Sequence, residues 1–175
     1  MTGGSNIAMD ADAKKTALRM IPYGIYVLTA KAADGTLAAA TVNWVTQTAF
    51  EPPLVAVGVK ADSGAYGILK DSRAFTLNML GKGQKDTAFA FFKPTERDGA
   101  TLNGHGFTEG GNGAPILDDA LASVECRVVE VIEHGDHHVV LGEVTDAQVA
   151  TAPTGRPDEA ILEMKDLGEK VFYGG

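Results

Sequence analysis

Cysteine is nearly missing from this chain. Among 175 residues there is one, Cys126, so no intrachain disulfide can form. It stands in Val124-Glu125-Cys126-Arg127-Val128, where apolar and charged residues alternate. That pattern reads as a strand with a buried thiol, and no neighbouring pattern lowers the thiol pKa toward that of a nucleophile. Basic residues are also scarce, 15 Lys and Arg against 23 Asp and Glu, for a formal net charge of -8. With no Lys/Arg cluster, nucleic acid and anionic membrane surfaces are excluded as partners. No apolar run reaches membrane-spanning length, and the polar, glycine-rich residues 1–15 lack the apolar core of a signal peptide. Cytoplasmic residence is the resulting expectation. Catalytic signatures are missing as well. There is no Gly-x-Ser-x-Gly elbow and no paired-cysteine motif. Gly81-Lys82-Gly83 has neither P-loop nor dinucleotide spacing and reads as a turn.

What remains is an ordinary globular composition, 45% hydrophobic and 22% charged, long enough for one core. Residues 1–10 read as a disordered terminus and residues 11–175 as a single domain. The spacing predicts a short helix over 11–20, started near Asp10 or Asp12 and ended before Pro22. A strand over 24–31 turns at Asp34-Gly35 and returns over 36–44. Strands follow over 54–59 and 74–80, with helices starting at Asp62 or Ser63 and over 84–92. Residues 93–113 show no periodicity and read as a structureless run. A long strand over 122–133 changes phase at Val128-Val129, which predicts a bulge. It turns at Gly135-Asp136 and pairs with 137–144. Another short helix is expected near 159–162. Linked hairpins with few helices predict a closed or half-closed antiparallel barrel.

The stretch from Thr41 to Val55 carries the most chemical information. Thr41, Asn43, Thr46, Gln47 and Thr48 supply hydroxyls and amides suited to phosphate and heterocycle edges. Trp44, the sole tryptophan, offers a stacking face with one donor. Pro52-Pro53 then ends the segment rigidly. The same residues also suit a solvated hairpin. Lys60, Ser63 and the helix start behind Ser63 suit a phosphate, because free amide groups and a full positive charge converge there. They equally suit a capped surface helix. In His134-Gly135-Asp136-His137-His138 the adjacent histidines project to opposite faces of a strand and cannot share an ion. No Cys or carboxylate has ligand spacing beside them, so no metal is expected.

Five fragments, in order, carry a family resemblance: ALRMIPYGIYVLTA, AAATVNWVTQTAFEPPLVAVGV, FTLNMLGKGQKDTAFAFF, GAPILDDALASVECRV and GDHHVVLGEV. Together, over roughly residues 17–149, they resemble the flavin reductase-like family of FMN-binding split-barrel proteins. Trp44 and the closing Phe172-Tyr173-Gly174-Gly175 look most like its flavoredoxin-like branch and the flavin reductase domains of diflavin proteins. Many members carry Thr where this chain has Tyr23, and Ser where it has Trp44. The resemblance implies a mainly β fold with short helices, a six-stranded antiparallel split barrel that forms a homodimer. It implies FMN, less often FAD, near the dimer interface, with NAD(P)H as co-substrate and hydride transfer to flavin N5. On that resemblance Asn43, Trp44, Val45, Thr46 and Thr48 line the isoalloxazine and ribityl phosphate. Val59, Lys60 and Ser63 border the phosphate, Asn78 and Leu80 contribute to the same pocket, and His137 faces the nicotinamide. The implied activity is an NAD(P)H:flavin reductase. Two alternatives stay open: a flavin carrier passing electrons to a redox partner protein without NAD(P)H activity, and a haem-binding split barrel.

Overall fold

The computed structural model describes residues 7–175. The disorder expected at the N-terminus lies outside the described residues for positions 1–6. Helix α1 (Ala11–Arg19) starts at Asp10, whose carboxylate accepts from the amides of Asp12 and Ala13 at 2.9 and 3.0 Å. This satisfies two of the amides left free at a helix start. The helix buries none of its residues.

Strands β1 (Tyr26–Lys31) and β2 (Leu37–Val42) form the expected hairpin. Its turn needs glycine at position 35, where φ is +90°, and Asp34 accepts from the Thr36 amide at 2.9 Å. After Asn43 and Trp44 come β3 (Val45–Ala49) and β4 (Leu54–Lys60). Helix α2 (Gly64–Ser72) is capped by Ser63, whose hydroxyl accepts from the Tyr66 amide. It leads into β5 (Ala74–Met79) and the short helix α3 (Lys85–Ala90). The long hairpin β10 (Ala122–Ile132) and β11 (His137–Val149) follows later.

These seven strands make one antiparallel sheet in the order β2-β1-β5-β10-β11-β4-β3. Strands β2 and β3 stand at opposite edges, yet only Asn43 and Trp44 separate them in the chain. A backbone spans at most about 3.6 Å per residue, so the two edges must approach each other there. The sheet therefore curls into a half-barrel. The Gly58 amide donates to the Trp44 carbonyl at 2.8 Å, extending the β3–β4 ladder up to this turn. Six strands were expected, and the sheet has seven.

The bulge is where the phase change predicts it. Val128 pairs with Gly142 and Glu130 with Leu141, so Val129 is left over. Gly142 itself permits a close approach, since a Cβ there would lie 2.7 Å from Phe75 Cζ. One core fills the curl and packs α2 against the strands through Leu28, Val57, Leu69, Phe75, Leu77 and Val140. A second lies on the other side, around Ile25, Leu80, Phe91, Leu117, Leu162 and Leu167.

Residues 93–113 depart from expectation. They contribute β6 (Arg97–Asp98), β7 (Thr101–Leu102) and β8 (His105–Glu109), which with β9 (Pro115–Leu117) form a second, four-stranded sheet. Strands of two residues carry no readable period. The turn is held instead by Asn103 at φ +47°, which accepts from the Glu96 amide and donates to the Ala90 carbonyl. The short helix expected near 159–162 is observed slightly earlier, as α4 (Pro157–Ala160), followed by a 3₁₀ turn, Met164–Leu167.

Candidate functional site

The last third of the chain closes over one end of the half-barrel. The Ile25 amide donates to the Leu162 carbonyl, the Leu162 amide to Leu80, and the Met164 amide to Tyr23. Leu162 and Leu167 are buried in the second core. These ties deliver residues 168–175 to the point where β2 leaves its sheet edge and β11 begins.

A cavity of about 250 Å³ lies there, lined by Ile25, Thr41, Asn43, Lys60, Ser63, Phe92 and Tyr173 among others. One corner is polar. Ser63 opens α2, donates its hydroxyl to the Lys60 carbonyl at 2.8 Å and accepts from Tyr66. Because Tyr66 is capped and the Gly67 amide bonds to the Ser63 carbonyl, the amides of Gly64 and Ala65 are the first-turn donors left over. Lys60 stands beside them with its ammonium 3.6 Å from Asp62. The opposite wall is apolar, from Ile25, Phe91 and Phe92. Between the two, Asn43 is buried and donates to the Tyr173 carbonyl at 3.0 Å.

An aromatic cluster adjoins the cavity through Tyr173, the member that lines it. The Trp44 ring lies 4.6 Å from His137 and 5.4 Å from Tyr173, centroid to centroid. Its indole N–H is buried with no acceptor. His137 Nδ1 meets the Asp136 carboxylate at 2.9 Å, and His137 Nε2 meets the Tyr173 hydroxyl. A carboxylate only accepts, so in the neutral ring the proton sits on Nδ1 and Nε2 accepts from the phenol. The hydrogen bond from His137 holds the Asp136 carboxyl below its ordinary pKa. Burial pushes the Tyr173 phenol up, so it remains a donor.

The structure gathers Asn43, Trp44, Lys60, Ser63 and His137 around this point. His138 lies on the other strand face, its Nδ1 2.7 Å from the Tyr66 hydroxyl, as alternation requires. The other candidates are elsewhere. Thr46 and Thr48 are exposed on the edge strand β3, and Val45 pairs with Val57. Val59 and Leu80 are buried in the two cores. Asn78 is buried with both amide atoms engaged, donating to the Val27 carbonyl and accepting from the Leu117 amide. It braces β5 against its neighbours. Asp136 is the residue that reading the sequence did not put at the site, because Gly135-Asp136 reads as a turn. For Tyr173 the only signal is the closing Phe-Tyr-Gly-Gly. Among the described residues no three His, Cys, Asp or Glu side chains come together to hold a metal ion. No helix among them is long and apolar enough to cross a membrane.

A curled antiparallel sheet with a partly polar cavity at its closure defines a split-barrel protein. The chain belongs to the flavin reductase like domain family, whose model matches residues 18–163. It is 36% identical over 134 residues to the reductase component of a Rhodococcus opacus 4-nitrophenol 4-monooxygenase/4-nitrocatechol 2-monooxygenase, covering 77% of this chain and 68% of that protein. It is 34% identical over 146 residues to diflavin flavoprotein A 1 of Synechocystis sp., covering 83% of this chain and 25% of that protein. The chain thus spans only a quarter of that diflavin protein's length. Among solved structures it resembles the Streptomyces globisporus NADH:FAD oxidoreductase SgcE6 in complex with NAD and FAD fragments. The TM-score is 0.64 at 29% identity, over 74% of this chain and 76% of the other.

Proposed function

We propose that this protein is an NAD(P)H-dependent flavin reductase that binds FMN in the cavity bounded by Asn43, Lys60 and Ser63. The observation that supports this most is the convergence of a phosphate-type corner, a buried amide donor and an aromatic edge on one cavity. Flavin, when bound, supplies the redox chemistry by accepting a hydride from the reduced nicotinamide. The residues supply binding and orientation. Lys60 and the free amides of Gly64 and Ala65 suit a terminal phosphate, which favours FMN over riboflavin. Asn43 suits a carbonyl on a ring edge. Trp44 and His137 present ring faces, and His137 Nε2 is an acceptor fixed by Asp136. No side-chain nucleophile is required.

Two further elements belong to this reading. Phe89 and Phe92 lie 5.7 Å apart, partly exposed, and Phe92 lines the cavity. A second subunit covering them would complete the site, so a homodimer is expected and light scattering should give twice the chain mass. The Rhodococcus relative is a reductase component of a monooxygenase, which makes a flavin-consuming partner protein a natural acceptor. The test of the function is an anaerobic titration. The protein should bind FMN, and NADH or NADPH should bleach the bound or added flavin. No flavin binding at all would sink the reading. Crowding of Trp44 by Tyr173 and Tyr23 favours a second reading, a flavin carrier. Bound flavin reduced by a protein partner but not by NAD(P)H would select it.

A further inference from the structure

Two of the hydrogen-bonding groups beside the cavity, Asn43 Nδ2 and His137 Nε2, are already taken, and one residue takes both. Tyr173 accepts from Asn43 Nδ2 through its carbonyl and donates to His137 Nε2 through its hydroxyl. Its ring lies tilted at 50° to Trp44 and edge-on to His137. Tyr173 therefore presents a flat ring, a carbonyl acceptor and a polar donor to the groups that a flavin or nicotinamide would meet. We propose that Tyr173 is an internal stand-in for that ring, and that residues 172–175 form a gate displaced when the ligand seats. This rests on reading the cavity as the flavin site.

Space points the same way. Tyr173 lines the 250 Å³ cavity and also a second one, of about 310 Å³, bounded by Arg19, Tyr23, Met164 and Phe172 among others. Sites for ligands of this size usually enclose about 300–1,000 Å³. Each cavity is at or below the small end of that range, and Tyr173 and Met164 line both. Displacing the Tyr173 side chain adds its volume to each.

The attachment of the segment suits a gate. Leu167 is buried and anchors the preceding turn. The chain then passes Gly168, at φ +146°, and adopts no regular structure over 171–175. Beyond the site, its holds are the Arg19 guanidinium 4.2 Å from the Phe172 ring centre and one Arg19 hydrogen bond to the Gly174 carbonyl. Phe172 and Tyr173 are 50% and 39% exposed, so few buried contacts resist their departure.

The test compares the full chain with Tyr173→Ala and Tyr173→Phe, using FMN as the probe and Trp44, the sole tryptophan, as the reporter. Thermal unfolding first checks that each variant is folded. Without ligand, Trp44 emission should shift to the red in Tyr173→Ala. FMN affinity should rise at least about tenfold in that variant, because a closed gate leaves only a minor open state of about 10% or less for the ligand. Tyr173→Phe, which keeps the ring and loses the hydroxyl, should fall between. In stopped flow, the binding rate should level off with rising FMN for the parent, as gate opening becomes limiting, and stay linear for Tyr173→Ala. Unchanged or weaker FMN binding by a folded Tyr173→Ala, with the parent binding normally, would overturn the gate alone. It would make Tyr173 part of the ligand's own wall. No FMN binding by any of the three proteins would overturn the flavin reading, and the stand-in with it, even if the emission shift were seen.

Discussion

Removing the Lys60 charge should separate two flavins that differ only in their phosphate. Lys60 ends β4, opposite His137 in the register and just before the cap of α2. Its side chain is 59% exposed and already has Asp62 at 3.6 Å. A fully formed charge-assisted contact is worth about 1.5–3 kcal/mol, whereas exposed ion pairs are worth about 0.2–1 kcal/mol. Lys60 belongs between these ranges, since a phosphate brings nearly two negative charges and Asp62 competes for the ammonium. We therefore expect Lys60→Ala to weaken FMN binding by about 1 kcal/mol, roughly fivefold. Riboflavin, which lacks the phosphate, should bind as before. Quenching of flavin fluorescence measures both affinities in one series. The difference should shrink as salt rises, because the screening length falls from about 10 Å at 0.1 M to about 3 Å at 1 M. Asp62→Asn should act in the opposite direction and tighten FMN binding. An equal loss for FMN and riboflavin would refute the reasoning and move the phosphate away from Lys60.

Three other outcomes follow from the structure. His137→Ala should raise the KM for NAD(P)H by about fivefold, corresponding to about 1 kcal/mol for one lost hydrogen bond, and, because it releases the same Tyr173 hydroxyl, should shift FMN affinity in the same direction as Tyr173→Phe. His138→Ala, whose partner is Tyr66 on the other face, should leave that KM alone, and the reverse pattern in steady-state kinetics would show the wrong face was assigned. Gly142→Ala should destabilise the fold by about 1–3 kcal/mol in urea unfolding, because the new methyl group meets Phe75 Cζ at 2.7 Å in the packed core. Burial, reinforced by the Glu125 charge, pushes the Cys126 thiol up from 9.0 to about 12. Iodoacetamide should therefore fail to label it at pH 8 until the protein unfolds. The folded state holds the proton more tightly, so this contribution to stability is intact below about pH 9 and is lost as pH rises toward 12. Labelling of the folded protein at pH 8 would contradict the buried placement.

Features set by a few consecutive residues were legible in the sequence. The Asp34-Gly35 turn, the Ser63 cap, the bulge at Val128-Val129 and the opposite faces of His137 and His138 all follow from rules with a reach of one to four residues. They rest on positive φ at glycine, a hydroxyl within reach of a free amide, and the two-residue period of a strand. That same local chemistry made Asn43, Trp44, Lys60 and Ser63 candidates. It could not separate them from Thr46 and Thr48, nor could the resemblance that added Val59, Asn78 and Leu80 say which are enclosed, because burial is decided by what packs from elsewhere. Asn78 reads as a ligand until its amide is seen braced between Val27 and Leu117.

The rest was decided only by tertiary structure. Strands β2 and β3 lie at opposite sheet edges although two residues separate them, and closing those edges creates the cavity. Tyr173 reaches Asn43 across 130 residues of chain and His137 across 36. Neither meeting has a periodic or turn signal, since loop closure over such distances is enforced by the burial of Leu162 and Leu167 and not by the residues that meet. By itself the sequence determined the β-rich pattern, the polar segment at 41–48 and the phosphate-suited start of α2. The fold determined that Thr41, Asn43, Lys60 and Ser63 line one cavity, and that Tyr173 lines it with them.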